Sequence, residues 1–131
     1  MKVDSSLYKD WLKKAENDLL AANGIMFYYE EPPTDTICYH CHQVAEKGLK
    51  AFLLYSKVEI PRIHDLVELL NLSIFKQKSL ASFKEDIQTL NKYYIEAKYP
   101  LGKAIFYPKK EAIEAINVAD KFLKKINKVI N

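Results

Sequence analysis

A chain of 131 residues with 49% hydrophobic and 28% charged side chains has the make-up of a globular domain, and its length suits a single core spanning residues 1–131. No apolar run approaches the roughly 20 residues needed to cross a bilayer, and Met1-Lys2-Val3-Asp4 opens into a charged amphipathic segment, so neither a membrane span nor a signal peptide is expected and the predicted location is cytoplasmic. The net charge of +3 is uneven: residues 98–131 hold eight lysines against three acids, a bias that suits an anionic partner such as a nucleotide or RNA, and equally a solvated helix face.

Glycine and proline stand at only a few places and cut the chain into helical lengths. The first predicted helix runs from about Ser5 to Gly24, with Asp4, Ser5 or Ser6 as N-cap and Leu12, Ala15, Leu19 and Ala22 along one face. Trp11 and Asp18 fall on its shoulder. After the Glu30-Glu31-Pro32-Pro33 loop, Thr34 or Asp35 is expected to cap a second helix to about Ser56. Ile37, Cys41, Ala45, Gly48, Leu49 and Phe52 share its apolar face, and Tyr39, Gln43, Glu46, Lys47 and Lys50 form a polar flank beside it.

A brief third helix is predicted over about His64 to Leu72, with Leu66, Leu69 and Leu70 inward. A fourth is predicted from about Ser79 to Lys98, carrying Leu80, Phe83, Ile87, Leu90, Tyr94 and Ala97 at spacings of three or four and stopped by Tyr99-Pro100-Leu101-Gly102. The last, about Lys109 to Ile130, places Ala112, Ile116, Ala119, Leu123, Ile126 and Ile130 inside. No useful strand alternation survives between the breaks. The expected fold is therefore all-α: an antiparallel up-and-down bundle of four longer helices plus one short helix.

Cys38-Tyr39-His40-Cys41-His42 spells the C-x-x-C-H run of covalent haem attachment, and Cys38 with His42 is an i, i+4 pair of metal-ligand type. Attached haem implies export, and a metal would need further ligands for which His64 is the obvious candidate. Buried, reduced cysteines are the expectation, with no metal and no cofactor. With three glycines in the chain there is no phosphate-cradling loop, so any anion must be held by side chains. Lys47 and Lys50 could hold phosphate, His64 could donate to it or exchange a proton, and Tyr99 could stack on a base. The alternative treats Glu46 and Lys47 as an ordinary ion pair, His64 as part of a helix cap and Tyr99-Pro100 as a helix stop.

At these residues the chain resembles the HEPN family, the higher eukaryote and prokaryote nucleotide-binding domain. "WLKKAENDLLAA" resembles its opening helix, with Ala15, Asp18 and Leu19 at the recurring positions. "YHCHQVAEKGLKAFLL" resembles its central signature through Gln43, Glu46, Lys47, Leu49 and Lys50, with His42 in place of the first of two glutamines. "HDLVELL" supplies the His-Asp-Leu element at His64, Asp65 and Leu66, and "KYP" stands where the family commonly has Arg-Tyr-Pro, so Lys98 departs while Tyr99 and Pro100 agree.

The resemblance implies a helical bundle that forms a homodimer, often encoded beside a small nucleotidyltransferase in toxin-antitoxin-like pairs. It implies two competing activities: nucleotide binding, and metal-independent ribonuclease action through an Arg followed four to six residues later by His. That pair is missing, since Arg62 lies two residues before His64 and no His follows Lys98. The expected function is a dimeric module that binds a nucleotide or a nucleotidyltransferase partner through Gln43, Lys47, Lys50, His64, Lys98 and Tyr99. The runner-up is a ribonuclease using Lys50, His64 and Lys98, and a third reading is a structural partner subunit without a ligand. Dimerisation is expected to draw on Tyr8, Trp11, Tyr28, Tyr29, Tyr93 and Tyr94.

Overall fold

Apolar residues recurring every three or four positions demand helices that bury one stripe each, and the computed structural model, which describes residues 4–94 and 104–131, builds such a bundle. Its α-helices are α1 (Tyr8–Tyr28), α2 (Thr34–Tyr55), α3 (Leu66–Ile74), α4 (Lys84–Asn91) and α5 (Lys109–Ile130). Short stretches of 3-10 helix precede α1 at Ser5–Leu7 and α4 at Lys78–Phe83. The described residues contain no strand.

Helix α2 is the hub. Fourteen of its 22 residues are buried, so it is surrounded rather than laid on a surface: α1 returns along one side after a short loop, α5 covers another, and α3 and α4 close the rest. Gly48 marks the closest approach to α5, where a Cβ would sit 3.7 Å from Ile126 and 3.9 Å from Leu123 and Phe122. An alanine fits there and a larger side chain does not. The core joins Ala15 and Ala22 of α1, Ile37, Val44, Leu49 and Leu53 of α2, Leu66 and Leu69 of α3, Ile87 and Leu90 of α4, and Phe122 and Ile126 of α5.

Local chemistry sets most of the ends. Asp65 caps α3 by accepting from the backbone N–H groups of Val67 (2.9 Å) and Glu68 (3.4 Å). Asn91, the last residue of α4, accepts from the Leu66 N–H at 2.8 Å and donates to Asp65 at 3.1 Å, which ties the end of α4 to the start of α3. At the head of α2, Pro33 occupies the cap position expected for Thr34 or Asp35. The Thr34 hydroxyl donates instead to the Tyr107 carbonyl at 2.6 Å, fastening α2 to the segment before α5.

Three sequence-based boundaries shift. Helix α1 continues through Gly24 to Tyr28, because Gly24 faces open space and one glycine costs only about 1 kcal/mol in a helix held by packing. Within the described part of the helix expected from Ser79 to Lys98, α-helix runs over Lys84–Asn91 and is followed by a turn in which Tyr93, not Tyr94, enters the core. Tyr93 is fully buried and its hydroxyl donates to Glu111 at 2.5 Å. Ala97, Lys98, Tyr99 and Pro100 lie outside the described residues.

At its C-terminal end α2 adopts the double hydrogen bond of a Schellman motif, with Lys57 N–H to Leu54 C=O at 2.8 Å and Val58 N–H to Leu53 C=O at 2.9 Å. That geometry puts Lys57 at φ 64°, a left-handed conformation that suits glycine and strains lysine. Lys57→Gly should therefore stabilise the fold by about 1 kcal/mol, strain relief of about 1–2 kcal/mol being partly offset by the freer unfolded chain. Urea unfolding of the two proteins side by side reads this as a higher midpoint with an unchanged slope.

Candidate functional site

The polar flank of α2 does not face water as a row of free side chains; it is folded into two ion-pair networks. The first centres on Glu46, which is 4% exposed. A carboxylate so deeply placed needs partners, and Glu46 has two close ones: Lys50 Nζ at 3.1 Å, one helical turn on, and His64 Nδ1 at 3.1 and 3.2 Å to its two oxygens. Lys50 is itself buried, and its ammonium lies 5.7 Å from the centre of the Trp11 ring, so it is held between a carboxylate and an indole face. His64 keeps about half its side chain exposed and stacks on Tyr94, with ring centres 4.8 Å apart and planes 14° from parallel. With Nδ1 turned to Glu46, the imidazole offers its Nε2 edge to the outside.

His42 lies fully buried behind this group, its Nδ1 3.2 Å from Gln43 Oε1 and 3.9 Å from Glu46. Burial pushes its pKa below the ordinary imidazole value despite the raising influence of Gln43 and Glu46, so the ring is neutral at pH 7. Its Nε2 is buried and has no hydrogen-bond partner among the described residues.

The second network joins α1 to α2. Asp18 accepts from Lys47 Nζ at 2.5 Å and pairs with His40 Nδ1 at 2.8 Å. Burial pushes the Asp18 carboxyl up, but the hydrogen bonds and positive charge of His40 and Lys47 outweigh that and hold it below its ordinary value of 3.8. Beside these networks an open cleft of about 310 Å³ is lined by Asp10, Trp11 and Lys14 of α1 and Lys47 of α2. The Trp11 indole is the shared wall, bordering the cleft while Lys50 lies over its ring. A second depression between α4 and α5, bordered by Asp86, Tyr93 and Glu111, contains none of the sequence-selected site residues.

The family model of the HEPN domain matches residues 8–129, almost the whole chain. The chain belongs to the HEPN domain family. Two solved structures are similar to it throughout. TT1696 from Thermus thermophilus is 27% identical with a TM-score of 0.79, over 93% of this chain and 97% of that one. ST0689, an archaeal HEPN homologue, is 27% identical with a TM-score of 0.72, over 95% and 98%. No functionally curated protein matches.

Within this HEPN domain, Lys50 and His64 meet on Glu46, and Lys50 is a buried, paired cation and not a free phosphate ligand. Gln43 is engaged with His42 and Lys47 with Asp18. Lys98 and Tyr99 lie outside the described residues. The Glu46–Lys47 ion pair is corrected: neighbouring helical residues diverge by about 100°, so Lys47 turns to α1 and Glu46 to Lys50 and His64. Sequence reasoning passed over Trp11 and Lys14 as site residues, although a lone tryptophan beside two lysines is a signal for a ligand wall. Cys38 and Cys41 are both buried thiols, and burial raises the Cys41 pKa. Among the described residues no three His, Cys, Asp or Glu side chains cluster as a metal site.

The Asp18 arrangement gives a signed prediction. A carboxyl whose folded pKa is depressed contributes stability that is complete above its unfolded value, 3.8, and is lost as pH falls through the lower folded value. Asp18→Asn should cost about 1–3 kcal/mol at neutral pH, the range for charge-assisted hydrogen bonds. The gap between the two proteins should narrow below pH 3.8, as urea titrations across the acid range will read.

Proposed function

We propose that this HEPN domain is a nucleotide-binding module whose ligand enters the Trp11 cleft. The observation that carries the reading is the pairing, in one open cleft of about 310 Å³, of an indole wall with the ammonium groups of Lys14 and Lys47. An anionic aromatic ligand matches such a wall: the base stacks on the indole while the phosphate meets the lysines. Lys14 is exposed and is the cation of the pair that binding recruits at least cost, because Lys47 already serves Asp18. Lys50 and Glu46 act from behind, fixing the indole and turning His64 outward. Trp11 is the single tryptophan of the chain, so its fluorescence reports the site directly.

Titration with AMP or ATP should quench that fluorescence, and affinity should fall as salt rises. Removing the wall in Trp11→Ala should weaken binding by about 1–3 kcal/mol, read by calorimetry, which is the range for one base–aromatic stack. Lys14→Ala should weaken it while leaving the helical circular dichroism intact. A fluorescence and heat signal indifferent to millimolar nucleotide overturns the proposal.

The Glu46–His64 pair favours a second reading, a metal-independent ribonuclease. A carboxylate on Nδ1 orients an imidazole whose Nε2 can take a proton, as acid-base cleavage of RNA requires. The cleavage also needs a second proton-transfer group. His42 is buried and neutral and His40 is held by Asp18, so a single chain has none among its described histidines. Single-turnover assays of metal-free protein on defined RNAs should therefore give little cleavage. Fast cleavage abolished by His64→Ala would reverse the order of the two readings.

A further inference from the structure

The side chains that α1 gives to the Trp11 cleft stand in a fixed order. Asp10 comes first, Trp11 next, and Lys14 one turn after Asp10, so along the helix the wall is acidic, then aromatic, then cationic. Lys47 of α2 belongs to the cationic end, because it is held by Asp18, one turn beyond Lys14. Asp10 and Lys14 have the i, i+4 spacing at which opposite charges can join, but among the described residues neither has a hydrogen-bond or ion-pair partner. Both are exposed. The cleft therefore keeps an open carboxylate at one end and an open ammonium at the other, with the indole between them in the order of the chain.

That order distinguishes among the bases. A base stacked on Trp11 with its phosphate at Lys14 and Lys47 points its far edge, the Watson–Crick edge, to the acidic end. A carboxylate only accepts hydrogen bonds, and its two oxygens suit two adjacent N–H donors. Guanine supplies them at N1 and N2. Adenine and cytosine set a ring-nitrogen acceptor beside their amino group, and uracil flanks its one N–H with two carbonyl oxygens. Each of these three turns a lone pair toward the carboxylate. The ribose lies between base and phosphate, so its hydroxyls fall on the cationic side, away from Asp10.

We propose that Asp10 makes the Trp11 cleft selective for guanine nucleotides, accepting hydrogen bonds from N1 and N2 of a base stacked on the indole. The inference rests on the nucleotide-binding reading above and adds to it the choice of base. Because Asp10 stands exposed, water competes for its oxygens and the selectivity is modest, about ten-fold, within the range for one bidentate base contact.

Calorimetry and Trp11 fluorescence with GMP, IMP and AMP at one salt concentration test the proposal. GMP should bind about ten-fold more tightly than AMP, and IMP, which lacks the N2 amino group, should fall between them. Asp10→Asn should weaken GMP and strengthen AMP, because an amide can donate to adenine N1 while it accepts from N6. A merely structural role for Asp10 does not produce such a reversal. Asp10→Ala should erase the preference without reversing it, and both variants should keep the helical circular dichroism, since the Asp10 side chain has no partner among the described residues. The 2′-deoxy form of GMP should match GMP. A loss of affinity there assigns the carboxylate to the ribose and overturns the proposal, as does a GMP preference that survives Asp10→Asn. Equal binding of GMP and AMP overturns the choice of base and leaves the nucleotide reading standing, whereas a signal indifferent to all three nucleotides overturns both.

Discussion

A carboxylate placed inside a helical bundle must be answered by cations and hydrogen bonds, and the answer given to Glu46 organises this structure. Leaving that charge unpaired would cost several kcal/mol, comparable with the whole stability of a small domain. Its two principal partners come from different places: Lys50 is a turn away on α2, whereas His64 sits in the approach to α3. The one group therefore fixes the chain entering α3 as well as the tautomer and direction of an imidazole. Lys50 carries the constraint onward to α1 through the Trp11 ring. Ordering at the cleft wall and ordering at His64 are thus two ends of the same electrostatic arrangement.

The Asp18 network complements it without overlapping it. Lys47 and His40 tie α2 to α1, and Lys50 and His64 tie α2 to the indole and to α3. Because α2 is surrounded on several sides, its flank residues cannot all reach solvent. Each either finds an acid or stays half-exposed at an edge. His42 is the exception, buried with one ring nitrogen unmatched among the described residues, and its neutrality is what makes that position tolerable.

Much of this is readable in the sequence, for reasons that can be located. The span of α5 and the inward leucines of α3 follow from helical periodicity, and they emerge as read. Gly24 misleads because glycine stops a helix only where the following chain turns, and here packing carries α1 onward. The exchange of Tyr93 for Tyr94 arises from the turn after Asn91, whose side chain is spent on Leu66 and Asp65; such a tertiary cap leaves no local pattern. The site divides in the same way. Glu46 with Lys50 is an i, i+4 pair visible on a wheel, while Asp18 with Lys47 spans 29 residues and is invisible until α1 and α2 dock. That docking is also what gathers Trp11, Lys14 and Lys47 around one cleft.

The hydrogen bond from Thr34 to the Tyr107 carbonyl bears on how the molecule assembles. It joins positions 73 apart in sequence, and beside it α5 covers the Gly48 face of α2. Helices α1 to α4 can meet their neighbours through short connections, whereas α5 reaches the head of α2 across a wide separation in sequence, so its contacts must outweigh a larger loss of chain entropy. Until it docks, the Gly48 groove lies open along the middle of the central helix. The hub of the native fold is accordingly half-built in any chain whose α5 has not yet docked, and cooperative completion belongs to that docking step.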